Sequence, residues 1–126
     1  MEMIIGGAFQ GKSAYARKEH PRITWTDGEA ADETALLSAR GVLGFEKYIR
    51  KELAAGHNVA DLAEKLIAKN PEVVLVSEEV GYGVVPADAF VREYREAVGR
   101  ICTKLAAHST KVTRVVCGIG TVIKNA

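Results

Sequence analysis

Met3-Ile4-Ile5-Gly6-Gly7-Ala8-Phe9-Gln10-Gly11-Lys12-Ser13 decides how the rest of the chain is read. It opens with a short apolar run of the kind that forms buried parallel strands. From Lys12 onward, Ser13-Ala14-Tyr15-Ala16-Arg17-Lys18-Glu19 is compatible with a helix, which Pro21 ends. Between the two, Gly6 to Ser13 satisfies G-x-x-x-x-G-K-[ST], the pattern of a phosphate-binding P-loop. The chemistry needs these residue types. Glycines let the backbone curl, so that the N–H groups of Gly6, Gly7, Ala8, Phe9, Gln10 and Gly11 turn toward phosphate oxygens. Lys12 adds a positive charge near the β and γ positions, and the Ser13 hydroxyl can take a place on Mg²⁺. The helix that follows offers unpaired N–H groups and a dipole that favours an anion. A tight turn with a solvated lysine is the alternative; the entering strand and the leaving helix weigh against it.

Working outward, Arg22-Ile23-Thr24-Trp25-Thr26 alternates and is β-rich, and Asp27-Gly28 closes it with a turn signal. Residues 28–43 read as a long connection. A short helix is expected near Asp32 to Ser38, and Gly41 and Gly44 bracket Val42-Leu43. Such connections often serve as lids or substrate loops. Phe45, Tyr48, Ile49 and Leu53 make an apolar helical face that Gly56 terminates. Asn58 is expected to cap the next helix, with Asp61 three residues on and Leu62, Leu66 and Ile67 inward. Val73-Val74-Leu75-Val76 is a buried strand, followed by the polar, glycine-rich exit Ser77 to Gly83. Asp88 starts a long helix whose Phe90, Tyr94, Ala97, Val98, Ile101 and Leu105 step by three and four. Lys111 to Cys117 is the last buried strand, and Thr121-Val122-Ile123 returns as an edge strand. Strands alternating with helices predict an α/β, three-layer P-loop fold with a mainly parallel sheet and an antiparallel C-terminal edge.

The bulk numbers bound the function. At 126 residues, with no repeat or linker, residues 1–126 read as a single nucleotide-binding domain. The balance of 48% apolar and 26% charged residues is that of a globular cytoplasmic protein. The net charge is +1, with no basic stripe interleaved with aromatics, which argues against a nucleic-acid partner. No apolar run approaches membrane length, and Met1-Glu2-Met3-Ile4-Ile5 is too short and too acidic for a secretory signal. Cys102 and Cys117 lack CxxC or zinc-site spacing and read as free thiols.

A P-loop metal needs a carboxylate, usually at the end of a neighbouring strand. Glu78 and Glu79 follow one strand and Asp27 follows another; Glu79 and Asp27 are the metal candidates, joined by Ser13. Arg92 and Arg95 are three apart on one helix and point to nearby directions. Arg92 is a candidate for the nucleotide, Arg95 for a catalytic contact to a transferring or substrate phosphate.

The run Val73 to Pro86 resembles the bifunctional cobinamide kinase / cobinamide-phosphate guanylyltransferase family of cobalamin biosynthesis. Glu79 to Pro86 match that family's E-V-G-x-G-(I/V)-V-P. Arg92, Tyr94, Arg95 and Gly99 match its next helix, Cys117-Gly118-Ile119 and Lys124 its ending, and Gly6-Gly7 the start of its P-loop. The resemblance implies a RecA-like sheet, a homo-oligomer and a Mg²⁺-dependent transferase. That transferase would phosphorylate the hydroxyl of the aminopropanol arm of cobinamide with GTP or ATP. It also implies a second activity, transfer of GMP to the resulting phosphate through a guanylylated histidine. The middle of this chain is shorter than the family's, however, and its histidine stretch has no counterpart in Asp27 to Gly44. His20, His57 and His108 read as surface histidines, so no stable GMP adduct is expected. The alternative from another class is a non-catalytic or regulatory P-loop protein that has lost its acceptor site.

Overall fold

The computed structural model describes residues 1–80 and 88–126. Its strands are β1 (Glu2–Gly6), β2 (Trp25–Asp27), β3 (Gly41–Leu43), β4 (Val74–Glu78), β5 (Lys111–Val116) and β6 (Ile119–Asn125). Its helices are α1 (Lys12–Glu19), α2 (Glu33–Ser38), α3 (Phe45–Ala54), α4 (Leu62–Lys69) and α5 (Ala89–His108). One six-stranded sheet runs β2-β3-β4-β1-β5-β6. Every pairing from β2 to β5 is parallel, and only β5 with β6 is antiparallel.

Side chains alternate across a strand, so each strand feeds both faces of the sheet. Met3, Leu75 and Val112 face one side, where they pack with Phe45, Ile49, Leu66, Ile101 and Leu105 from α3, α4 and α5. Ile4, Val74, Val76 and Val115 face the other side and pack against Ala16 of α1. The sheet is thus covered on both faces. The larger cluster lies under the three later helices.

Several boundaries differ from the sequence reading. β2 begins at Trp25, three residues later than the run at Arg22; Asp27 ends it and opens the expected turn, its carbonyl accepting from the Ala30 and Ala31 N–H groups. β3 is a strand inside what read as a long connection. Its glycine is set by packing: a Cβ on Gly41 would lie 2.5 Å from the Trp25 ring. β4 runs on to Glu78. The N-cap of α4 is Asp61, and Asn58 instead closes a turn by accepting from the Ala60 N–H. Asp88 caps α5 through the Val91 N–H, at 3.1 Å. Gly81 to Pro86, the heart of the family-like exit run, lies outside the described residues.

Candidate functional site

The P-loop leaves the central strand at the C-terminal edge of the sheet and enters α1 at Lys12. Two glycines are dictated by geometry. A Cβ on Gly6 would sit 2.7 Å from the carbonyl oxygen of Val115 on the neighbouring strand. Gly11, the N-cap of α1, has φ +83°, a left-handed conformation that costs a side chain about 1–2 kcal/mol. The Lys12 ammonium folds back over the loop and donates to the Gly7 carbonyl at 3.2 Å. Ser13 is exposed at the start of the helix.

Two neighbours fasten the loop. On one side the Glu79 N–H donates to the Gly6 carbonyl at 2.7 Å. On the other, the tight turn Cys117-Gly118 between β5 and β6 donates twice to Gln10. The Cys117 N–H reaches the Gln10 side-chain oxygen at 2.7 Å, and the Gly118 N–H reaches its carbonyl at 2.8 Å.

A cleft of about 360 Å³ opens between the start of α1 and the ends of β2, β3 and β4. Its walls carry Lys12, Ser13, Arg17, Asp27, Glu46, Lys47 and Glu78. Three of the residues singled out from sequence, Lys12, Ser13 and Asp27, therefore meet in one place. Glu79 is not among these wall residues. Its carboxylate accepts from Arg114 Nε at 2.8 Å, and its side chain is 10% exposed. The reason is the pleat: Glu78 continues the parity of Val74 and Val76 toward α1, and the next residue turns to the opposite face. Glu78, noted on sequence but not chosen as a metal candidate, is the strand-end acid that reaches the cleft. Arg92 and Arg95 lie on the first two turns of α5, Arg92 exposed and Arg95 half-buried.

Glu46 was missed. It is 4% exposed, in the first turn of α3, and its Oε1 accepts the Glu78 N–H at 2.9 Å. The carboxylate gains from the helix N-terminus and ties the end of β4 to the start of α3. The signal was present: Glu46, Ile49 and Leu53 fall on one inward stripe, so an acid stands where the pattern asks for an apolar residue. Its charge is felt beyond the cleft. Burial first, then Glu46 and Glu78, push the Tyr94 phenol up to about 12, which keeps it a proton donor. Cys102 lies further in; burial raises its thiol to about 11, and its sulfur is 3.8 Å from the Ser77 hydroxyl.

The cleft sets two ammonium groups, Lys12 and Lys47, and the Arg17 guanidinium beside one hydroxyl and three carboxylates. These hard oxygen donors are the type Mg²⁺ takes. Among the described residues no three His, Cys, Asp or Glu side chains are close enough to cage a metal by themselves.

The three histidines are placed together by topology. α1, α3 and α5 each start from the C-terminal edge of a parallel sheet, so their far ends lie toward the opposite edge. His20 follows α1, His57 follows α3 and His108 ends α5. His20 Nε2 is 3.2 Å from Glu2, the first residue of β1, and His57 Nδ1 is 2.5 Å from Glu52.

A family model described as cobinamide kinase / cobinamide phosphate guanyltransferase matches residues 28–123. The chain belongs to that family. Two relatives are both named bifunctional adenosylcobalamin biosynthesis protein CobU, one from Salmonella typhimurium and one from Escherichia coli. Each is 47% identical over 53 residues, 42% of this chain. The matched stretch spans 29% of each relative's length. The family match begins at Gly28, so the reading of Gly6 to Ser13 stands on its own motif and geometry. No helix among the described residues is long and apolar enough to cross a membrane.

Proposed function

We propose that this chain is a nucleotide-dependent kinase that moves the γ-phosphoryl group of GTP or ATP to the hydroxyl of (adenosyl)cobinamide. The observation that carries the proposal is the meeting of Lys12, Ser13, Asp27, Glu46 and Glu78 in one cleft, in a chain of this family. The P-loop N–H groups and Lys12 bind the β and γ oxygens and neutralise charge where it is redistributed in transfer. Ser13, with Asp27 or Glu78, would hold Mg²⁺, which would supply positive charge to the phosphoryl group being transferred. Glu46 orients the acceptor hydroxyl and takes its proton as that oxygen bonds to the γ-phosphorus. The bond to the β–γ bridging oxygen breaks, and the nucleoside diphosphate leaves. Arg92 and Arg95, on the helix beyond the exit segment, are assigned to the nucleotide and to a phosphate of the reacting partners. Glu79, held by Arg114 and by its own N–H to Gly6, keeps the exit of β4 against the P-loop.

The second family activity asks for a nucleophile at the α-phosphate. All three histidines follow or end helices that run away from the P-loop edge. We therefore assign the kinase step and not guanylyl transfer to this chain acting alone. Assembly into a homo-oligomer and a cytoplasmic location belong to the same proposal. The test is incubation with Mg²⁺, GTP or ATP and a panel of corrinoid acceptors, read by mass spectrometry. A cobinamide that gains one phosphoryl group supports the reading. Nucleotide binding with every corrinoid unchanged would make the chain a non-catalytic nucleotide-binding module.

A further inference from the structure

The exposed large apolar side chains among the described residues are Phe9, Val116, Ile119, Val122 and Ile123. All belong either to the P-loop or to the β5–β6 hairpin. Phe9 has no burial at all and sits at φ 60°, an unusual conformation for an aromatic residue. The loop that carries it is tied to the hairpin by the two hydrogen bonds from Cys117 and Gly118 to Gln10. Val116 and Ile119 pair directly across the hairpin, flanking that turn, so they share a face. Ile119 is 70% exposed.

The sheet order says which end of a nucleotide belongs here. The acids Asp27, Glu46 and Glu78 come from the β2, β3 and β4 side of β1, and β5 and β6 lie on its other side. A metal, a transferring phosphate and an acceptor need the acidic side. A nucleotide whose phosphates cross the loop then carries its base toward the side without those acids, where the apolar tip stands. A flat heteroaromatic ring gains most from an aromatic face and apolar neighbours. We propose that Phe9, with Val116 and Ile119 at the hairpin tip, forms a stacking site for the base of the nucleotide bound by the P-loop. The site accepts purines by their π-face, which fits use of either GTP or ATP. This inference rests on the P-loop reading and adds the second half of the nucleotide site to it.

The experiment is calorimetric titration of the full chain with GTP, ATP and inorganic tripolyphosphate, each with Mg²⁺. Tripolyphosphate tests the P-loop alone; the difference between it and the nucleotides tests the base site. Wild type is expected to bind both nucleotides more tightly than tripolyphosphate. Phe9→Ala is expected to weaken both nucleotides about ten-fold more than it weakens tripolyphosphate, with Phe9→Tyr restoring most of the loss. Ile119→Ser, which leaves the P-loop sequence intact, is expected to weaken the nucleotides in the same selective way, by less. Equal affinity of wild type for nucleotide and tripolyphosphate would overturn the stacking site and leave the P-loop reading standing. So would a Phe9→Ala variant that loses both ligands equally, since Phe9 would then only shape the loop. Failure of wild type to bind any of the three would overturn the P-loop reading itself.

Discussion

Replacing Glu46 separates what holds the site together from what it does. Its Oε1 accepts the Glu78 N–H at 2.9 Å, and the carboxylate is 4% exposed in the first turn of α3. Glu46→Ala removes the acceptor and leaves that N–H without its partner, which costs about 1–3 kcal/mol. Loss of the charge at the helix N-terminus adds about 0.5 kcal/mol, and the better helix propensity of alanine returns a few tenths. The sum is about 2 kcal/mol, which for a chain this size lowers Tm by about 6–10 °C. Glu46→Gln keeps an oxygen for the Glu78 N–H and loses only the charge, so its cost is about 0.5–1 kcal/mol. Turnover follows a different order: both variants lack the proton acceptor, and each loses about 100-fold or more in kcat. The assay is paired, thermal unfolding for stability and phosphoryl transfer to cobinamide for kcat. If Glu46→Ala unfolds at the wild-type temperature, the hydrogen bond to β4 is not a structural tie. If Glu46→Gln keeps wild-type kcat, the carboxylate is not the proton acceptor.

Lys12→Ala is expected to fold normally and to bind GTP and ATP about 10- to 100-fold more weakly, because one charge-assisted contact is lost; near-wild-type affinity by calorimetry would remove the P-loop assignment. Thr113 is fully buried, and its hydroxyl is the one buried side-chain polar atom among the described residues without a partner. Thr113→Val, of nearly the same shape, is therefore expected to raise stability by about 1 kcal/mol in denaturant titration; a loss of that size would mean the hydroxyl is satisfied. Cys102 contributes a pH dependence of known sign. Its thiol is raised from 9.0 to about 11 by burial, so the folded state holds the proton more tightly than the unfolded one. The associated stability is fully present below pH 9 and is lost as pH rises through about 11, up to about 2–3 kcal/mol. Unfolding of Cys102→Ala across that range should show a shallower alkaline fall than wild type, and parallel curves would contradict it.

Much of this was legible in the residues, for identifiable reasons. β1 and β4 are largely apolar runs with residues buried on both faces, and such runs declare themselves without their neighbours. The G-x-x-x-x-G-K-[ST] run declares itself because the pattern is written in residue types at fixed spacing. β3 did not, since three residues between glycines carry no period; Gly41 is explained only by the Trp25 ring that packs over it. The acids divide in the same way. Asp27 was found because it ends a strand. Choosing between Glu78 and Glu79 needed the strand's true end, because one residue of register swaps the face each side chain reaches. Glu46 comes from a helix start that only the sheet order brings beside β4.

The most direct test of the kinase assignment is a double-label transfer experiment. The full chain is incubated with Mg²⁺, cobinamide and GTP labelled either at the γ- or at the α-phosphate, and corrinoid and protein are then separated. With the acids at the P-loop edge of the sheet and each histidine following or ending a helix that runs away from it, γ-label should appear on the corrinoid. The α-label should appear on neither the corrinoid nor the protein. Absence of γ-label from the corrinoid would contradict the kinase assignment. Acid-labile α-label on the protein that disappears in a single His→Ala variant would contradict the placement of the histidines outside the site and restore guanylyl transfer to this chain.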